Sequence, residues 1–134
     1  MHTAAMEDLS DSWVDGRPDL RWRSTVGTSP DTGARASGTS LLEVDPGCAL
    51  PRHMDSAEET VVVVSGTAAV EVGDESATVP AGGVALVPQD VRHQVRNAGD
   101  EPLRFVAVYA ANDVVTRYEA EVQPDGGCER QTIG

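Results

Sequence analysis

The chain has 134 residues, with 22 acidic against 10 basic, a net charge of −12 at pH 7, two cysteines and three histidines. That length makes one domain with a core of its own, and so acidic a surface repels nucleic acid and anionic membranes, which recruit the opposite sign. No apolar run approaches the roughly 20 residues of a membrane span, and the N-terminus lacks the basic region and apolar stretch of a signal peptide, so the expectation is a soluble, cytoplasmic protein.

Taken in chain order, residues 1–20 are polar and broken at Asp15-Gly16 and Pro18, with Trp13 their one bulky apolar group. They read as an N-terminal arm. Leu20–Val26 is a candidate first strand, and Thr28–Gly38, rich in Thr, Ser, Pro, Gly and Asp, is a loop. Thr39–Val44 reads as a strand closed by the turn Asp45-Pro46-Gly47. Further short strands follow at Thr60–Val64, Ala68–Val72, Ser76–Val79, Val84–Val87 and Leu103–Ala110, separated by turn sequences such as Gly73-Asp74-Glu75 and Pro80-Ala-Gly-Gly83. Val114–Val122 adds a last strand or a short helix, and 123–134 is a polar tail. No segment holds a helical period, so the domain, residues 21–122, is an all-β sandwich or barrel. There is no internal repeat.

Val61–Val64, Val84–Val87 and Phe105–Ala110 are apolar on both strand faces. A strand with one wet face alternates, so something covers the second face: the arm with Trp13 and Trp22, or a second subunit. Cys48 and Cys128 lie outside any Cys-x-x-Cys spacing, which argues against a thiolate zinc cluster. A reducing compartment argues against their pairing.

The residues with chemistry to offer gather in two segments, Gly47 to Gly66 and Gly82 to Asn97. In the first, His53 and Asp55 are two apart and share one face of a strand. Glu59 would stand roughly 13 Å further on if that strand ran straight at about 3.3 Å per residue. Metal donors sit within about 2.0–2.2 Å of a shared ion, so the chain must turn at Ser56-Ala57-Glu58 for all three to meet. In the second segment His93 has to arrive from another strand. Two imidazoles with one or two carboxylates form a mixed nitrogen and oxygen site for a transition metal. Asp55 joins it directly or through a water, and Glu58, Glu59 and Asp55 are candidate general bases.

The two segments resemble the two motifs of the cupin family, G-x5-H-x-H-x3-E-x6-G and G-x5-P-x-G-x2-H-x3-N. Each keeps every defining position but one: Asp55 stands where the family has its second histidine, and Asp90 where it has glycine. The resemblance implies a single-domain jelly-roll β-barrel, a divalent metal held by His53, Asp55, Glu59 and His93, and a homodimer. It makes Asn97 a structural hydrogen-bond partner. Two histidines and one carboxylate on one face of an ion is the arrangement of non-haem Fe(II) oxygenases, and the extra carboxylate favours Fe(II) or Mn(II) over softer-ligand metals. The expected function is an Fe(II) dioxygenase acting on a small organic metabolite. A Lewis-acid lyase, cyclase or isomerase using Zn(II), Ni(II) or Mn(II) and a metabolite sensor are the alternatives. His53-x-Asp55, His93 and Arg104 together are also similar to the 2-oxoglutarate oxygenases, in which the arginine holds the co-substrate carboxylate. Arg52 and Arg92 each precede a ligand histidine by one residue and so point out of the pocket.

Overall fold

The computed structural model describes residues 1–134 as two antiparallel six-stranded sheets face to face. The strands are β1 (Ser10–Val14), β2 (Arg17–Thr28), β3 (Gly38–Val44), β4 (His53–Asp55), β5 (Glu59–Ser65), β6 (Thr67–Val72), β7 (Glu75–Pro80), β8 (Val84–Val87), β9 (His93–Asn97), β10 (Leu103–Tyr109), β11 (Val114–Tyr118) and β12 (Glu129–Ile133). One sheet runs β1-β2-β3-β10-β5-β8 and the other β12-β11-β4-β9-β6-β7. The chain changes sheet at Ser56-Ala-Glu58, between β4 and β5, where the metal-ligand spacing demanded a turn. No helix is long and apolar enough to cross a membrane.

Alternation builds the core. In β10 Leu103, Phe105, Ala107 and Tyr109 are buried while Arg104 and Val108 are exposed. Leu42, Val44, Val61 and Val63 join them from the same sheet, and Val70, Val95 and Val114 face them from the other. This jelly-roll core needs no helix.

The sheets reach further than the expected 21–122 limits at both ends. Asp15-Gly16, read from the sequence as a break, is a two-residue hairpin loop: Val14 pairs with Arg17 and Gly16 has φ 75°. Gly16 supplies the left-handed position of the loop, which glycine adopts without strain, so β1 and β2 extend the sheet edge. In the tail, β12 pairs with β11, and its Ile133 is fully buried. Gly38 makes room for it, because a Cβ there would stand 2.6 Å from Ile133 Cγ2.

The N-terminal strands do not cover the second apolar face. Trp22 turns inward and is buried, while Val64, Val84, Leu86 and Val108 stay exposed. The register sets Val106, Val62 and Val84 in one row across β10, β5 and β8, with Val108, Thr60 and Leu86 in the next.

Candidate metal centre

Three strands deliver the four acidic and imidazole side chains that the sequence singles out. His53 and Asp55 project from β4, His93 opens β9, and Glu59 opens β5 in the facing sheet. His53 and His93 are direct antiparallel partners, with ring centroids 4.1 Å apart. All four side chains are buried.

Each imidazole is fixed from behind. His53 Nδ1 lies 2.7 Å from the Pro51 carbonyl oxygen and His93 Nδ1 2.9 Å from that of Val91. A carbonyl only accepts, so both Nδ1 atoms carry hydrogen and donate it. In the neutral rings this leaves the Nε2 lone pairs facing inward, the tautomer of a metal-ligating histidine.

Asp55 is fixed in the same manner. Thr116 Oγ1 donates to its Oδ1 at 2.6 Å, and Thr116 shares a hydrogen bond with Thr132. That leaves Asp55 Oδ2 aimed at the histidines, 3.2 Å from His93 Nε2 and 3.9 Å from His53 Nε2. Glu59 Oε1 lies 3.2 Å from His93 Nε2.

With His93 neutral, Asp55 Oδ2, Glu59 Oε1 and His93 Nε2 are buried acceptors crowded together with no donor among them. Buried acceptors in this state are costly unless a cation sits among them. Donors bound at about 2.0–2.2 Å and at right angles about one ion stand about 3 Å apart, close to the two separations of 3.2 Å, and the 3.9 Å between Asp55 and His53 stays within the span of one ion's shell. The donors of His53, Asp55 and His93 all lie within 4.8 Å of one another. The residues present fit a divalent metal ion. Glu59 is outside that mutually close set and meets the centre through His93.

The electrostatics express the same demand for positive charge. Burial pulls His93 down, but the facing Asp55 and Glu59 carboxylates, each 3.2 Å from Nε2, outweigh it and push the imidazole up to about 10, so that without a metal a proton takes the cation's place. Burial and the neighbouring His93 lower His53 to about 4, so it is neutral at physiological pH. Burial raises Glu59 to about 7. For Asp55 burial acts upward, but His93, His53 and Thr116 overcome it and hold the carboxyl down at about 2. Burial, reinforced by Glu59 and Asp55, lifts the Tyr109 phenol well above its ordinary value.

A cavity of about 420 Å³ opens beside His53 and Asp55. Its wall includes Trp22, Ser40, Tyr109, Tyr118 and Arg130. The Tyr118 ring packs 5.5 Å from that of His53 and 5.7 Å from that of Trp22.

Other sequence candidates lie elsewhere. Arg104 donates to Glu43 at 2.6 Å on the outer side of its sheet, so it cannot hold a co-substrate in the cavity, and the likeness to 2-oxoglutarate oxygenases fails there. Glu58 is exposed. Arg52 and Arg92 point outward to Glu71 and Glu119. Buried Asn97 ties Val44 and Glu101 carbonyls and accepts from Gly99 N–H. Both cysteines are free. Of the few aromatic residues the sequence offers for a stacking pocket (Trp13, Trp22, Phe105, Tyr109 and Tyr118), Trp22, Tyr109 and Tyr118 line the cavity, whereas Thr116 and Arg130 have no role in the sequence reading. The only sequence signal for Thr116 is parity, since it shares one strand face with Val114.

Comparison with known proteins agrees with this architecture. The family model described as a cupin domain matches residues 40–109. A protein named polyketide synthase CurC, from Streptomyces cyaneus, is 35% identical over 89 residues, 66% of this chain and 56% of CurC. Oxalate decarboxylase from Lactobacillus farciminis, in its formate complex, superposes with a TM-score of 0.72 at 23% identity, covering 85% of this chain and 34% of that one. Bacillus subtilis oxalate decarboxylase, an enzyme with Mn(II) centres, gives 0.67 at 25% identity over 73% of this chain and 28% of its own. The chain thus spans little more than half of CurC and about a third or less of the two decarboxylases. With more than half of its length matched by the family model, and with both motif segments delivering their side chains to one buried centre, the chain belongs to the cupin family.

Proposed function

We propose that this protein is a metal-dependent enzyme acting on a small oxygenated organic molecule, with Fe(II) and dioxygen as its chemistry. The carrying observation is the pair of inward Nε2 atoms, from His53 and His93, converging with Asp55 Oδ2 beside a cavity of about 420 Å³. Two histidines and one carboxylate suit non-haem Fe(II) and leave coordination positions open. Such an ion supplies redox chemistry that side chains lack. His53, His93 and Asp55 would hold it, and Glu59, poised near neutrality by burial, would take up or give a proton at its carboxylate. Tyr109 and Tyr118 keep their phenolic protons at neutral pH and act as hydrogen-bond donors. The similarity to CurC supports a polyketide-like metabolite as substrate.

The decisive experiment is metal analysis of protein purified without added metal, followed by oxygen-uptake assays on Fe(II)-, Mn(II)- and Zn(II)-loaded protein with oxygenated metabolites. Oxygen-dependent turnover with Fe(II), suppressed by Zn(II), supports the reading. Turnover under anaerobiosis with Zn(II) or Mn(II) refutes it in favour of a Lewis-acid lyase, cyclase or isomerase. That second reading draws on Glu59, whose raised carboxyl suits general acid–base work. Binding without turnover would make the protein a sensor.

The exposed valine and leucine rows of β10, β5 and β8 are assigned to a second copy of the chain. They form an apolar patch bordered by the Arg104–Glu43 ion pair in a protein otherwise strongly acidic, the kind of surface that two-fold self-association buries.

A further inference from the structure

The geometry points to Arg130 as the residue that recognises an acidic group on the substrate, which makes that substrate an oxygen-rich organic acid. This inference rests on the reading above that the cavity beside the metal centre is the substrate site. Arg130 was part of what the sequence showed only as a polar tail, and its position follows from register. Thr116 pairs with Asp55 across β11 and β4, and with Arg130 across β11 and β12. Directly paired residues project from the same face of a sheet, and Asp55 and Thr116 face inward. Asp55, Thr116 and Arg130 thus make one inward row over three strands. At about 4.8 Å per strand, the two ends of that row are about 10 Å apart at the backbone, a span that suits one small molecule.

The guanidinium is placed for a ligand and is not neutralised by a carboxylate of the protein. Six of the ten arginines are locked in carboxylate ion pairs: Arg17, Arg23, Arg52, Arg92, Arg104 and Arg117. Arg130 has no carboxylate within ion-pair distance, although Asp125 lines the same cavity. It is the one cation on that wall. Its carbon stands 6.0 Å from the Trp22 ring centroid and 5.8 Å from that of Tyr118, and Nη1 donates to Ser12 Oγ at 3.2 Å. Cation–π attraction to the two rings and the bond to Ser12 hold the guanidinium on the cavity wall while leaving other edge donors free. A fork of N–H donors held in this way matches a carboxylate, or an equally acidic enol or phenol, in two-point fashion. Hydroxyls of Ser24, Ser40 and Thr132 on the wall suit the remaining oxygens of such a molecule. In a chain of net charge −12 a non-specific attraction for anions is absent, so discrimination in favour of an acid has to come from this local cation.

The test compares citrate, gluconate and 3,4-dihydroxybenzoate with their uncharged methyl esters, by calorimetry or ligand-detected NMR at millimolar concentration. It uses the full chain, both as purified and after treatment with a chelator. A charge-assisted hydrogen-bond pair is worth about 1.5–3 kcal/mol, so the chelated wild type should prefer at least one acid over its ester by about tenfold or more. Arg130→Gln, which can still bond Ser12, should abolish the preference, and Arg130→Lys should retain part of it. An acid preference that persists in Arg130→Gln overturns the assignment, and so does a wild type that prefers no acid. Metal content, measured separately, decides the metal reading: a chain that holds no metal but shows Arg130-dependent acid binding would refute that reading and leave Arg130 in place.

Discussion

Replacing Thr116 by valine preserves the shape of the side chain and removes one hydroxyl. In the structure that hydroxyl donates to Asp55 Oδ1 at 2.6 Å and is itself bonded to Thr132. Asp55 is almost wholly buried, and its other oxygen faces only the two imidazoles, so the variant removes the one hydroxyl that fixes the carboxylate from behind. A hydrogen bond to a charged group is worth about 1.5–3 kcal/mol, and orphaning a buried acceptor costs a similar amount. Loss of a hydrogen bond that orients a metal ligand lowers metal affinity by roughly 10–100-fold. Thr116→Val should therefore weaken Zn(II) or Mn(II) binding, read by competition with a chromogenic chelator, by about that factor. The metal-free protein should lose about 1–3 kcal/mol in urea denaturation. Thr116→Ser keeps the hydroxyl and should recover most of the metal affinity. Wild-type affinity in Thr116→Val would refute the claim that Asp55 is a positioned ligand, and equal loss in Thr116→Ser would show that packing, not the hydroxyl, matters.

Metal affinity should rise with pH. In the absence of metal His93 is held protonated up to about 10, and a ligand imidazole must be neutral; below that value binding expels a proton and the affinity grows about tenfold per pH unit. Calorimetry in two buffers of different ionisation enthalpy reads the released proton, and none released would contradict the arrangement. Asp90 sits at φ 59°, where glycine is unstrained, so Asp90→Gly should be neutral or stabilising by a few tenths to about 1 kcal/mol in urea denaturation; a clear loss would assign the Asp90 side chain a specific bond. Val64→Asp with Leu86→Asp places charge on the exposed sheet face and should convert a dimer to a monomer in light scattering. A wild-type monomer at tens of micromolar would remove the second copy from that face.

Most of the centre was legible because its members lie in two short segments with fixed parity. His53 and Asp55 share a strand face whatever the rest of the fold does, and the reach from Asp55 to Glu59 could close only by a turn, which the structure makes by changing sheets at Ser56-Ala-Glu58. The strong apolar strands were equally plain. What escaped was set by pairing across long separations. Ser10–Val14 and Glu129–Ile133 carry few apolar residues and look like loose ends until β2 and β11 offer them edges. The same holds for Thr116 and Arg130, since parity alone says that a residue faces one side, not which partner it meets there. Arg104 illustrates the converse: its sequence distance from His93 suggested a carboxylate-binding role, yet it alternates with buried Leu103 and Phe105 and must face outward. The side chains proposed to bear the metal were thus fixed by local spacing, whereas those that orient Asp55 and line the cavity came from strand register. Substitutions in the first group should act on whether an ion is held at all. Changes at Thr116, Tyr118 and Arg130 should instead alter how tightly it is held and which molecule is received beside it.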